Sequence, residues 1–168
     1  MKKALLLIIS VVVPMVSLAM ESVTDKNWRN HLEIKKIRSI YNEVNAEKEA
    51  GKYKKHSRKC KLHDGHFVIE GTLYTDTKGL VRKYNVGAGT GDSAGTAEYY
   101  YDAKGIPRFT YRTRSSYYGG RRMDRIYMDE EGHWLYTDQK QEGPGVPGSE
   151  LSESISDPAE DYENLCKE

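Results

Sequence analysis

Apolar residues recur three and four positions apart from Trp28 through Leu32, Ile34, Ile37, Tyr41 and Val44, with Lys, Arg and Glu filling the positions between. This period predicts an amphipathic helix over residues 26–50. Thr24 and Asp25 are suited to cap its first turn, and Gly51 to end it. Residues 52–61 carry Lys and Arg without a period and read as a solvated basic connector that holds His56 and Cys60. From His66 to Thr137 the period shortens to two, with β-branched and aromatic side chains alternating with polar ones and broken by Gly, Asp and Lys. That is the pattern of consecutive half-buried strands.

Three of the breaks share one form. Asp76-Thr77-Lys78-Gly79, Asp102-Ala103-Lys104-Gly105 and Asp129-Glu130-Glu131-Gly132 lie 26 and 27 residues apart, each with a tyrosine five residues before its glycine: Tyr74, Tyr100 and Tyr127. Asp at the first turn position accepts backbone N–H groups and Gly at the last supplies positive φ, which predicts a type I turn closed by a G1 bulge. Three such turns imply three β-hairpins. The predicted fold class is therefore α+β, an N-terminal amphipathic helix packed on an antiparallel β-meander of about six or seven strands. Alternation puts Leu73, Tyr99, Tyr101, Ile126 and Met128 on one sheet face, with Phe109 and Tyr111, as the core beneath the helix. The opposite face then carries Tyr74, Tyr100 and Tyr127 with Arg108, Arg112, Arg114, Arg121 and Arg125, while Tyr117 and Tyr118 stand at the tip of the adjoining loop.

The segment Tyr101-Asp102-Ala103-Lys104-Gly105 resembles the tyrosine-rich hairpins of YD-repeat-type bacterial secreted proteins, in which Tyr-Asp-x-x-Gly recurs. Thr75 and Met128 stand where the other two copies would have that tyrosine. The wider layout of leader, one basic helix and tyrosine-rich hairpins is similar to small exported bacterial proteins of unknown function. The resemblance implies an exported hairpin protein and brings no catalytic residues with it.

The chain opens with Met-Lys-Lys, an apolar run from Ala4 to Val16, and Ser17-Leu18-Ala19. This is the form of a secretory signal peptide over residues 1–19, too short and too interrupted by Pro14 to make a good membrane span. No stable membrane insertion is expected after its cleavage, and the product belongs in a bacterial periplasm or outside the cell. Residues 20–140 form the single helix-plus-meander domain. Gly and Pro make residues 141–157 a flexible linker, and Asp157-Pro158-Ala159-Glu160 opens a short C-terminal helix or tail over 158–168.

Loss of Lys2 and Lys3 with the leader moves the formal net charge from +1 to −1, so no nucleic-acid partner is indicated. Charge is instead bipolar: residues 26–61 hold twelve Lys and Arg against four Glu, and residues 138–168 hold nine Asp and Glu against two Lys. Cys60 and Cys166 fall one in each region. In an oxidising compartment they are expected to form a disulfide.

Residues 85–96 alternate glycine with small residues but lack the Gly-Lys-Ser/Thr ending of a phosphate loop, and read as a flexible loop between hairpins. His63-Asp64-Gly65-His66 is a tight turn whose imidazoles could meet a divalent ion, yet spacing fixes no third ligand; no metal and no cofactor are expected. Ser115, Ser116 and His133 compose no recognisable triad. The Tyr/Arg face is the remaining candidate, because tyrosine stacks guanidinium planes and both residues are enriched in binding surfaces. The same residues also serve as ordinary solvent-face strand positions, neutralised by Glu98 or the acidic tail. The reading is an exported, non-enzymatic binding module of inhibitor, immunity or envelope-associated type, whose partner is an unidentified acidic protein or an anionic envelope polymer. Its alternatives are a small metal-dependent envelope hydrolase using His63 and His66, and a structural envelope protein without a discrete site.

Overall fold

A computed structural model of the chain describes residues 22–62, 65–144, 146 and 153–167. The expected signal peptide lies outside the described residues, as do positions 145 and 147–152 of the expected linker. Helix α1 spans Leu32–Glu49, so it starts later than residue 26. Before it, the N–H groups of Asn27 and Trp28 donate to the Thr24 carbonyl in a turn, and Trp28 is carried back onto Tyr136 with ring centroids 5.4 Å apart. The His31 side chain caps α1 by accepting from the Glu33 N–H.

Seven strands follow: β1 (Lys54–Leu62), β2 (Phe67–Thr75), β3 (Val81–Gly89), β4 (Ser93–Tyr101), β5 (Pro107–Ser116), β6 (Arg121–Met128) and β7 (Trp134–Glu142); helix α2 is Pro158–Asn164. All seven pair antiparallel in chain order, so the fold is α+β with one seven-stranded meander. Two segments expected to be irregular are strands. The basic connector is β1, an edge strand whose lysines face solvent and discourage further pairing. Residues 85–96 belong to β3 and β4 except for Thr90, Gly91 and Asp92, because Gly87 and Gly89 leave room for Glu70 and for the Ser93 backbone.

The three Asp-x-x-Gly turns are built alike. Asp76 Oδ1 accepts from the N–H groups of Lys78 and Leu80, Asp102 Oδ1 from Lys104 and Ile106, and Asp129 Oδ1 from Glu131 and His133, all at 2.8–3.0 Å. Gly79, Gly105 and Gly132 sit at φ of 82, 83 and 84°. In each hairpin the register slips one residue, at Tyr74/Thr75, Tyr100/Tyr101 and Tyr127/Met128. That slip decides the faces, since moving a strand by one residue turns its side chains over. Tyr100 pairs with Phe109 and Tyr99 with Thr110, so Phe109 and Tyr111 share a face with Tyr100, whereas Arg108, Arg112 and Arg114 share one with Tyr99 and Tyr101. The expected assignment, which alternated straight through the turn, is reversed on β5.

Ile34, Ile37 and Val44 of α1 form one buried cluster with Tyr100, Phe109 and Tyr127. On the other face Leu73, Tyr84, Tyr99 and Tyr101 pack beneath Tyr162 and Leu165 of the C-terminal segment. Leu73, Tyr99 and Tyr101 are therefore core, but under α2 and not under α1. The Tyr101 hydroxyl donates to the Ile155 carbonyl at 3.0 Å. Asp157 caps α2 by accepting from the Glu160 N–H at 2.9 Å, and Pro158 opens it. A disulfide joins Cys60 of β1 to Cys166. Two residues away, the Arg58 guanidinium donates to the carbonyls of Tyr162 and Glu163 at 3.0 and 2.9 Å and pairs with the Glu163 carboxylate at 3.1 Å. The basic and acidic regions of the chain meet at this point.

Candidate functional site

Antiparallel pairing aligns side chains of one face into rows that cross the strands. On the α1 side one row reads Lys55, Tyr74, Lys83, Tyr100, Phe109, Tyr127 and Tyr136. Tyr74, Tyr100 and Tyr127 thus share a stripe, with α1 packed over its Tyr100–Tyr127 section. The neighbouring row reads Ser57, Thr72, Asn85, Glu98, Tyr111, Arg125 and Asp138. It runs beside the helix.

Between α1 and β5–β6 a cavity of about 480 Å³ opens over both rows, lined by Arg38, Tyr41 and Asn42 from the helix and by Phe109, Tyr111, Arg125 and Tyr127 from the sheet. Arg38, Tyr41 and Asn42 lie three and four residues apart, on a helix flank adjoining the apolar stripe. Tyr41 is positioned by rings at its base, 4.9 Å from Tyr100 and 5.5 Å from Phe109. The Arg38 guanidinium lies 5.0 Å from the Trp28 ring centroid and donates to the Arg29 carbonyl at 2.9 Å; among the described residues it has no ion-pair partner. Arg125 is paired with Asp138 at 3.1 Å and lies 5.6 Å from the Tyr111 ring centroid. Burial pushes the Tyr127 hydroxyl above its ordinary pKa, and Arg38 draws it only part of the way back. Among the described residues the lining holds two guanidiniums and no carboxylate. Such a cavity can hold an anionic group by its guanidiniums and a flat group against its rings.

On β3, two strands from β5, Lys83 Nζ donates to Glu98 Oε2 at 2.7 Å, to the Tyr100 hydroxyl at 2.7 Å and to Asn45 Oδ1 of α1 at 3.2 Å, which uses all three of its N–H groups. The Tyr100 hydroxyl also donates to Glu98 Oε2. Burial draws Lys83 below its ordinary pKa in spite of Glu98. Burial works to raise the Glu98 carboxyl, but its bonds from Lys83 and Tyr100 prevail and leave it below the usual carboxylate range. This cluster ties the end of α1 to β3 and β4.

The expected single Tyr/Arg face is two faces. Arg125 and Tyr127 line the cavity, whereas Arg108, Arg112 and Arg114 are buried on the opposite side. Arg108 has a role in the repeat: its Nε donates to the Met128 carbonyl of the next hairpin at 3.3 Å, as Arg82 Nε does to the Tyr101 carbonyl at 3.4 Å. Both arginines stand three residues past the turn glycine. The third copy has no hairpin after it, and Leu135 occupies the place. Arg112 and Arg114 converge on the Asp124 carboxylate at 3.1 and 3.2 Å, together with Arg122 at 2.9 Å. Arg121 is exposed next to the β5–β6 turn, at whose tip Tyr117 and Tyr118 are 79% and 81% exposed. Arg38 and Asn42 escaped the strand-based reading, although their spacing of four marks a polar flank of α1, and Tyr41 was assigned only to the apolar stripe beside it. Asp124 was missed as well, and its period-two spacing from Arg122 is the signal that could have found it.

His63 and Asp64 lie outside the described residues, and His66 is exposed just before β2. Asp129, Glu131 and His133 bring ligand-type atoms within 4.8 Å of one another. They stand on the third turn, where Asp129 Oδ1 is already bound by two backbone N–H groups. Among the described residues no helix is long and apolar enough to cross a membrane. No protein-family model, no curated protein and no solved structure matches the chain.

Proposed function

We propose that the protein is an exported, non-enzymatic binding module of inhibitor, immunity or envelope-associated type, and that the cavity beside α1 takes an anionic group of its partner. The observation that carries this reading is the convergence of Arg38 and Arg125 with Tyr41, Tyr111 and Tyr127 in one cavity whose lining, among the described residues, has no carboxylate. Asp138 answers Arg125 alone, so the cavity keeps a positive charge. A planar guanidinium fork matches carboxylate and phosphate, and aromatic walls exclude the water that would screen the contact. Export is supported by the leader-like residues 1–19 and by the Cys60–Cys166 disulfide, a bond that persists in oxidising compartments.

The test is binding of a defined polyanion panel (polygalacturonate, polyglutamate and a polyphosphate) to wild type and to Arg38→Gln/Arg125→Gln. At least one polyanion should bind, and the double variant should weaken it by about tenfold or more for each guanidinium lost, with an unchanged circular dichroism spectrum. Binding that the double variant leaves intact would remove the cavity from the function.

A further inference from the structure

We infer that the cavity beside α1 is one end of a trough that holds a linear acidic polysaccharide stretched across the strands. This rests on the reading of the cavity as an anion site and adds the class of partner. A second cavity, about 550 Å³, lies over β1–β4 and includes Ser57, Thr72, Asn85 and Glu98 in its lining. Those residues belong to the row that continues as Tyr111 and Arg125, and Glu98 is the direct cross-strand neighbour of Tyr111. The two cavities therefore abut at that pair. With strands about 4.8 Å apart, the six strands that line the two cavities span about 24 Å, enough for several sugar units and far more than a small anion fills.

The chemistry along the row changes in the way such a chain requires. At the α1 end, guanidiniums and tyrosine rings suit a carboxylate and the flat face of a sugar. Toward β1 the groups suit hydroxyls: Ser57 and Thr72 have their hydroxyl oxygens 3.1 Å apart, and the Asn85 side chain lines the cavity beside them. Side-chain hydroxyls and an amide both donate and accept, as sugar hydroxyls do. Gly87 keeps the floor low beside this row. Lys55, Lys59 and Glu70 line the same end; Lys59 pairs with Glu70 at 3.7 Å and Glu98 is held by Lys83, so Lys55 is left to extend the positive charge. An acidic peptide fits less well. Peptides bind sheets by adding a strand at an edge, whereas this trough crosses the strands on the sheet face, where the backbone groups are already paired.

The test is calorimetry of the purified protein with galacturonate oligomers from disaccharide to hexasaccharide, with polyglutamate and a neutral N-acetylglucosamine hexasaccharide as comparisons. Affinity should rise by about tenfold or more from the shortest oligomer to the longest. Asn85→Asp and Thr72→Glu, which add an unpaired carboxylate to a half whose own Glu70 and Glu98 are held by Lys59 and Lys83, should cancel that gain and leave the disaccharide unaffected. Arg38→Gln/Arg125→Gln should weaken every length. Equal affinity at all lengths, still lost in the arginine variant, would overturn the trough and leave the anion cavity standing. Tighter binding of polyglutamate or of the neutral sugar would overturn the acidic polysaccharide, and failure of every oligomer to bind the folded protein would overturn both readings.

Discussion

Asp124 is 1% exposed, and its carboxylate accepts from Arg112, Arg114, Arg122 and the Gln139 amide. Burial works to raise this carboxyl, yet the bonds from Arg122 and Arg114 and the nearby charges hold it below its ordinary range. Glu153 also reaches Arg112 at 3.3 Å, but it is exposed to water and contributes little. Three guanidiniums around one buried carboxylate depend on that carboxylate, so Asp124→Ala should destabilise the protein by about 3–5 kcal/mol in urea unfolding. A loss below about 1 kcal/mol would show that the arginines are neutralised elsewhere. The turn glycines allow a finer comparison. At both Gly79 and Gly105 an alanine would have to adopt left-handed backbone, at about 1–2 kcal/mol. A Cβ at Gly79 meets nothing within 4 Å, whereas one at Gly105 would stand 3.1 Å from Leu80 Cδ1. Gly105→Ala should therefore lower stability more than Gly79→Ala, and equal losses would mean that Leu80 yields freely.

Helix α2 has seven residues, too few to hold together alone, so its order comes from Tyr162, Leu165, Arg58 and the disulfide. The bond closes a loop of 106 residues, for which chain entropy gives about 4–5 kcal/mol. Cys60→Ser/Cys166→Ser should lose up to that amount, and hydrogen exchange should quicken first in α2 while β4–β6 stay protected. Reactive thiols on the unreduced wild type, or exchange that quickens evenly, would sink the idea. The elements legible in the sequence are those whose cause is local. Each Asp-x-x-Gly turn contains its own acceptor and its own positive-φ residue, and the stripe of α1 lies within α1. What was not legible depended on carrying a local event across the sheet. The bulge implied by those turns moves Phe109 to the side of Tyr100 and Arg112 to the side of Tyr99, which simple alternation cannot register. Strand β1 was hidden because an edge strand is protected by the same lysines that make it look like a solvated link. The cavity beside α1 was half visible: Arg125 and Tyr127 come from the sheet pattern, but Arg38 and Tyr41 meet them only once α1 has a fixed position.

For the molecule as a whole, the aromatic core sets the alkaline limit. Burial is the leading cause that raises the hydroxyls of Tyr84, Tyr99, Tyr100, Tyr101 and Tyr127, and it also raises Tyr53 and Tyr136, the last to about 12. A group whose folded pKa lies above its unfolded value binds more protons when folded, so its contribution is intact below the unfolded value of about 10 and declines as pH rises beyond it. Glu98, Asp124 and Asp129 work in the opposite sense, since their folded values are depressed. Their contribution is present above unfolded values of about 4 and is lost as pH falls through the lower folded ones. Stability should thus hold from mildly acid to mildly alkaline pH and fall away on both sides. The alkaline side is the more telling, because two separate clusters of tyrosines, one under α1 and one under α2, have to ionise through the same cooperative sheet. The last part of the tyrosinate absorbance, that of the buried hydroxyls, should therefore rise in a step that coincides with the loss of far-ultraviolet circular dichroism above about pH 10. A rise that reaches the full tyrosinate absorbance while the dichroism stays intact would mean that these hydroxyls reach water in the native state, and that neither helix seals its face of the sheet.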